Sequence, residues 1–214
     1  MKIEVPYTKQ REGSYHCQVA TTLMILEFFN DGMTYDELLK ELDPYMVEEG
    51  MHSQGPATFF LKRGYTSFFG HHDLDMLVPN IENCTEKDVE KLETQLASLE
   101  ENEKNEYQIQ KLALDIAFIK GGGLYSSFLP KLDAIDEYLS KGVPVVLSGV
   151  RNKGLHLKPT AGLGNHSIVI TGTEGDIYFV NDPSPRTEGQ YSIHRDRLQH
   201  AWYSSGAQIR VVWK

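Results

Sequence analysis

Read as a pattern of apolar and polar positions, the chain opens with a short apolar-alternating stretch, residues 3–8 (IEVPYT), expected as a strand that Pro6 places at an edge or an end. A polar, Gly-containing segment follows. From Val19 to Phe29 almost every position is apolar or Thr, which predicts a helix buried on most of its sides. Asn30-Asp31-Gly32 stops it, and Thr34 with Glu37 forms a capping-box pattern opening a short helix to about Leu42. Gly55-Pro56 starts another helix that Gly64 ends, and YTSFF reads as a strand.

The middle changes character. Residues 85–104 are rich in Glu and Lys, with Val89, Leu92, Leu96 and Leu99 forming a narrow apolar stripe on a solvated helix. A more apolar helix is expected from about Tyr107 to Ile119, halted by Gly121-Gly122-Gly123. Residues 80–120 are therefore taken as a helical insertion in a single domain spanning 1–214. PKLDAIDEYLSKG then reads as an amphipathic helix and VPVVLSGV as a buried strand; residues 151–164 are expected as a Gly-rich loop. NHSIVITG and IYFVND, separated by Thr173-Glu174-Gly175-Asp176, read as a β-hairpin, RDRLQHAW as a short helix and QIRVVW as a last strand. A buried helix first, mixed helices next and a mostly antiparallel sheet last make an α+β fold.

Composition narrows the functions this fold can serve. A length of 214 residues supports one substantial core, and a net charge of −9 argues against nucleic-acid and anionic-membrane partners, which call for a basic surface. No stretch has the length of a membrane span or the form of a signal peptide, and Cys17 and Cys84 cannot make a disulfide framework, so a reducing, cytoplasmic setting is expected.

The candidate chemistry centres on Cys17, which stands at the head of the buried helix. There the unpaired N–H groups and the positive end of the helix dipole favour a thiolate, the form a nucleophile needs. His166 begins one strand of the hairpin and Asp182 ends the other, so antiparallel pairing brings them to the same end of the sheet. A base that shares the thiol proton, and a carboxylate that fixes that base, complete a nucleophilic set. Gln10, seven positions before the cysteine (17 − 10), supplies an amide able to donate to an oxyanion.

With those residues in place, the chain resembles the papain-like cysteine peptidases and, within them, the bacteriocin-leader-processing peptidase-like branch. IEVPYTKQREGSYHCQVATTLMIL is similar to that branch's short strand, Gln and Cys-headed helix, and GNHSIVITGTEGDIYFVNDP to its His–Asp hairpin. The likeness covers about half the chain and has no counterpart for residues 80–120. It implies a papain-like fold with Cys17 as nucleophile, His166 as general base and later acid, Asp182 as its orienter, and Gln10 as oxyanion donor beside the Cys17 N–H. Two departures stand out. His16-Cys17-Gln18 replaces the usual Asp-Cys-Gly, so Gln18 is expected to narrow the cleft, and the Gln-to-Cys interval is one residue longer. Double-glycine leader specificity is not carried over, because the transporter domains that accompany those peptidases are absent from the sequence.

The expected function is cysteine-dependent acyl transfer, most simply hydrolysis of a peptide or protein substrate. Deamidation, transfer to an amine, and a non-catalytic peptide-binding module are the alternatives. The chemistry calls for no cofactor. His71-His72-Asp73 with Asp75 makes a poor metal site, since adjacent histidines point apart; His156, His194 and His200 lack spaced partners. Cys84, in a polar stretch without a His neighbour, is expected to be inert, and Tyr15 and His16 are expected to line the entrance.

Overall fold

The computed structural model describes residues 1–72, 84–99, 105–127, 129–156 and 164–214. Helix α1 (Cys17–Phe28) buries every residue from Gln18 to Leu26, the wrap-around burial its continuous apolar run demands. Helix α2 (Tyr35–Leu42) carries the Thr34/Glu37 capping box, both of whose hydrogen bonds form. A 3-10 turn (Asp43–Tyr45) leads into a small hairpin, β1 (Met46–Val47) and β2 (Gly50–Met51), before α3 (Gln54–Lys62) and β3 (Thr66–Gly70). Helices α4 (Glu86–Ser98) and α5 (Glu106–Lys120) precede β4 (Leu124–Ser126) and α6 (Leu132–Ser140). The remainder is β5 (Val145–Arg151), α7 (Asn152–His156), β6 (Asn165–Glu174), β7 (Ile177–Asn181), β8 (Gln190–His194), α8 (Arg195–Tyr203) and β9 (Gln208–Trp213).

The main sheet runs β4-β3-β9-β5-β6-β7-β8 and is antiparallel except where β3 pairs with β4. A parallel pair cannot be joined by a tight turn, and α4 and α5 lie on the connection between them. The helices expected as an insertion thus form part of this crossover. Their stripe (Leu92 buried; Val89, Leu96 and Leu99 partly so) packs with Ala57 of α3 and Phe69 of β3 in a cluster of its own.

Alternation along the strands divides the rest of the core between the two faces of the sheet. Val145, Leu147, Ile209 and Val211 join α6 and α8 on one side, while Val146 and Val212 join α1, α2 and α3 on the other. Both faces are covered, so the sheet is a rigid platform with α1 lying across it. The structure departs from expectation in three places. Residues 3–8 form no ladder, and the nearest pairing is a single bridge, Lys2 to Gly172. The segment 151–164 is not all loop, because α7 occupies its start and packs on α8. The hairpin continues into a third strand, β8. No described helix is long and apolar enough to cross a membrane.

Candidate active site

Cys17 is the first residue of α1, with His16 at the cap position. His166 sits near the start of β6, opposite Val150 of β5, and Asp182 follows the last residue of β7. A bulge in β5 between Leu147 and Val150 breaks the ladder just before that pairing. Gly149 makes the bulge possible: its φ is +67°, and a Cβ there would lie 2.5 Å from the Ser205 carbonyl oxygen.

These placements bring the three residues into one row. His166 Nε2 is 2.7 Å from Asp182 Oδ1, and the Cys17 sulfur lies close enough to the His166 side chain for each to shift the ionisation of the other. With Nε2 given to the carboxylate, the imidazole has only Nδ1 left for the sulfur. Ser167, next to His166 on β6, also lowers the thiol. Ser167 is itself tied to Ser148 by a 2.7 Å contact between hydroxyls.

Electrostatics follow from this geometry. Burial opposes the Cys17 thiolate, yet its hydrogen bond and charge interaction with His166 outweigh it and hold the thiol below its ordinary value. Burial pulls His166 down as well, but the Asp182 hydrogen bond and then the sulfur lift it to about 10. Asp182 is fully buried, which works against its charge; hydrogen bonds from His156 and His166 keep it ionised, well below the usual carboxylate range. The shifts of Cys17 and His166 run in opposite directions, and both favour thiolate beside imidazolium over the neutral pair.

Asp182 has more partners than the hairpin alone supplies. Its Oδ2 is 3.1 Å from His156 Nε2 and accepts from the Tyr191 hydroxyl at 3.0 Å, while the Ser184 N–H donates to Oδ1 at 2.9 Å. His156, read from sequence as lacking a partner, is therefore a second histidine on the acid. It escaped notice because its helix lies in a stretch expected as loop, and β8, which brings Tyr191, was not expected at all. The Tyr7 hydroxyl donates to the Asp182 carbonyl at 3.1 Å, its ring seated over Gly189, where φ is +82°.

Gln10 lies in the same cleft, a cavity of about 900 Å³ whose walls include Cys17, Gln18, His156, His166 and Gln208. One of its amide N–H groups donates to the Ser14 carbonyl at 2.8 Å. Gln18 lines the cleft but turns its amide onto the Met51 carbonyl at 2.9 Å and the Ser53 hydroxyl at 3.1 Å. Tyr15 lines the cleft and is exposed, whereas His16 has a buried, unpartnered Nδ1. Cys84 is half-buried, its thiol raised by burial, and stands apart from this cleft. His71 is committed to Tyr125 and Asp115; Asp73 and Asp75 lie outside the described residues. No group of metal-ligating side chains occurs among the described residues.

Comparison with known proteins agrees with this architecture. A double glycine motif protease from an AMS/PCAT transporter, solved with its leader peptide, matches with a TM-score of 0.50 at 12% identity, covering 99% of this chain and 92% of that one. A C39-like peptidase from Bacillus anthracis matches with a TM-score of 0.56 at 12% identity, covering 100% and 98%. At such identities the likeness is one of fold, a papain-like α+β fold. No curated protein matches. The Peptidase_C39 like family model matches residues 2–209, nearly the whole chain, and the protein belongs to that family.

Proposed function

We propose that this protein is a cysteine peptidase-like hydrolase acting on peptide or amide bonds through a Cys17 acyl-enzyme. The Cys17 thiolate attacks the carbonyl carbon, forming a C–S bond, and the oxyanion is received by the Cys17 N–H and the Gln10 amide. His166, protonated at the start, gives its proton to the leaving amine as the C–N bond breaks. Water then loses a proton to His166 and attacks the acyl carbon; the C–S bond breaks, and the carboxylic acid leaves as the thiolate and imidazolium are restored. Asp182 holds the ring throughout. For Gln10 to serve, its second N–H must turn to the oxyanion while the first stays on Ser14.

The observation that supports this reading is the His166 ring, held by the Asp182 carboxylate at 2.7 Å and interacting with the Cys17 sulfur, on the wall of an open cleft. The relative solved with a leader peptide supports a peptide as occupant. Residues 1–214 are taken as one papain-like domain to which 80–120 adds two helices, since Tyr107 of α5 reaches the cleft wall. The two free thiols suit a reducing, cytoplasmic setting.

The test is incubation of the purified protein with a pool of unstructured peptides, reading new termini by mass spectrometry, with Cys17→Ala in parallel. New termini confined to the unsubstituted chain are expected. Identical peptide maps from both, together with ordinary thiol behaviour of Cys17 near pH 8.5, would reduce the protein to a peptide-binding module.

A further inference from the structure

Arg210 lies in the middle of the sheet, paired with Val146 of β5 and Phe69 of β3. Its neighbours Ile209 and Val211 face α6 and α8, so its side chain is on the α1 side with Val212. It is only 2% exposed. Nη2 donates to the Thr22 hydroxyl at 3.2 Å, while Nε and Nη1 have no partner. The Thr22 hydroxyl in turn donates to the Gln18 carbonyl at 2.6 Å, so the guanidinium is connected to the first turn of α1. Arg210 makes no ion pair with a carboxylate among the described residues.

A buried guanidinium without an anion is costly, and an apolar side chain in that layer is commonly tolerated better. Among the described residues, the ionisable group whose charge acts on Arg210 is Cys17. The groups bearing on the sulfur from other elements are His166 on β6, Tyr35 on α2 and Arg210 on β9. Tyr35, raised by burial, remains neutral. Counting the row as thiolate, imidazolium and carboxylate leaves one uncompensated negative charge. Arg210 brings the sum to zero.

We propose that Arg210 is the buried counter-charge of the Cys17 thiolate, a positioning residue that acts through the dry layer beneath α1 without touching substrate. The inference rests on Cys17 being the nucleophile. Burial draws the guanidinium down to about 9, which leaves it protonated at neutral pH. In a low-dielectric layer a fixed cation near the sulfur favours the thiolate by far more than the same charge in water.

The experiment is alkylation of Cys17 by iodoacetamide across pH, resolved from Cys84 by peptide mass spectrometry, in the unsubstituted chain, Arg210→Met and Arg210→Lys. Arg210→Met keeps an apolar stem and deletes the charge. Its acid limb should move up by about one pH unit, a roughly tenfold slower reaction below the limb, and Arg210→Lys should restore much of the rate. A folded Arg210→Met with the limb unmoved overturns the inference, whatever happens to its melting temperature. Should Arg210→Met fail to fold, arginine-labelled NMR of the unsubstituted chain decides. The Arg210 Nε–H resonance should titrate with the midpoint of thiolate absorbance, and a resonance indifferent to that titration overturns the proposal. Absence of a low-pH thiolate in the unsubstituted chain removes the nucleophile assignment itself; a thiolate that survives in Arg210→Met removes only Arg210.

Discussion

Among the described residues, two buried carboxylates each hold a histidine, and only one of them belongs to the candidate site. Asp182 meets His166 at 2.7 Å on the wall of the cleft. Asp115 meets His71 at 3.7 Å under α5, where Gln54 donates to its other oxygen at 2.8 Å and the Tyr125 hydroxyl lies 2.6 Å from the same ring. Neither Asp115 nor His71 lines the cleft. Burial and a His–Asp pair are thus common to a network away from the cleft and to the candidate site on its wall. The difference lies in the Cys17 sulfur that interacts with His166 and in the open space both residues line.

Substitution separates the two pairs most sharply in turnover. Cys17→Ala or His166→Ala should lower peptide hydrolysis by about 10³-fold or more, while His71→Ala should leave the rate per folded molecule within about threefold. Equal losses in all three would erase the distinction. Stability should run the other way. Asp115→Ala takes the carboxylate from a buried glutamine and histidine and should cost about 3 kcal/mol in urea unfolding, with the Cys17 alkylation profile of the remaining folded protein unchanged.

The pH dependence of stability sharpens the contrast further. His166 is raised to about 10 in the folded chain, above its unfolded value of about 6.5. Its contribution to stability is therefore fully present below about pH 6.5 and is lost as pH rises through about 10. The gap in melting temperature between the unsubstituted chain and His166→Asn should be widest near pH 6 and close toward pH 10. A gap that widens with rising pH would mean that the ring is held neutral in the fold. The smallest effect is expected at His156, which shares Asp182 Oδ2 with Tyr191. His156→Gln should slow turnover by roughly three- to tenfold with little change in melting temperature, because Tyr191, Ser184 and His166 still satisfy the carboxylate.

Much of this was legible in the order of residues. The unbroken apolar run after Cys17 specifies a helix with no wet side, and the hairpin pattern alone puts His166 and Asp182 at one end of the sheet. The parallel pairing of β3 with β4 was not legible, since β4 is three residues long and follows three glycines. His156 could not be tied to Asp182, because tertiary packing of α7 on α8, not local propensity, brings it there. Arg210 did leave a trace. A single cation inside the apolar run QIRVVW is anomalous for a strand buried on both faces, and it marks the layer under α1.

The first ten residues are stitched along the far hairpin. The Ile3 N–H donates to the Thr171 carbonyl, the Asn181 amide to the Val5 carbonyl, the Tyr7 hydroxyl to the Asp182 carbonyl, and the Gln10 N–H to the Pro183 carbonyl. A growing polypeptide therefore carries its sulfur for most of its synthesis without an imidazole to activate it or a groove to present it. The row of sulfur, imidazole and carboxylate can therefore close only after residues 166–182 have left the ribosome, whatever the order in which the helices before them fold.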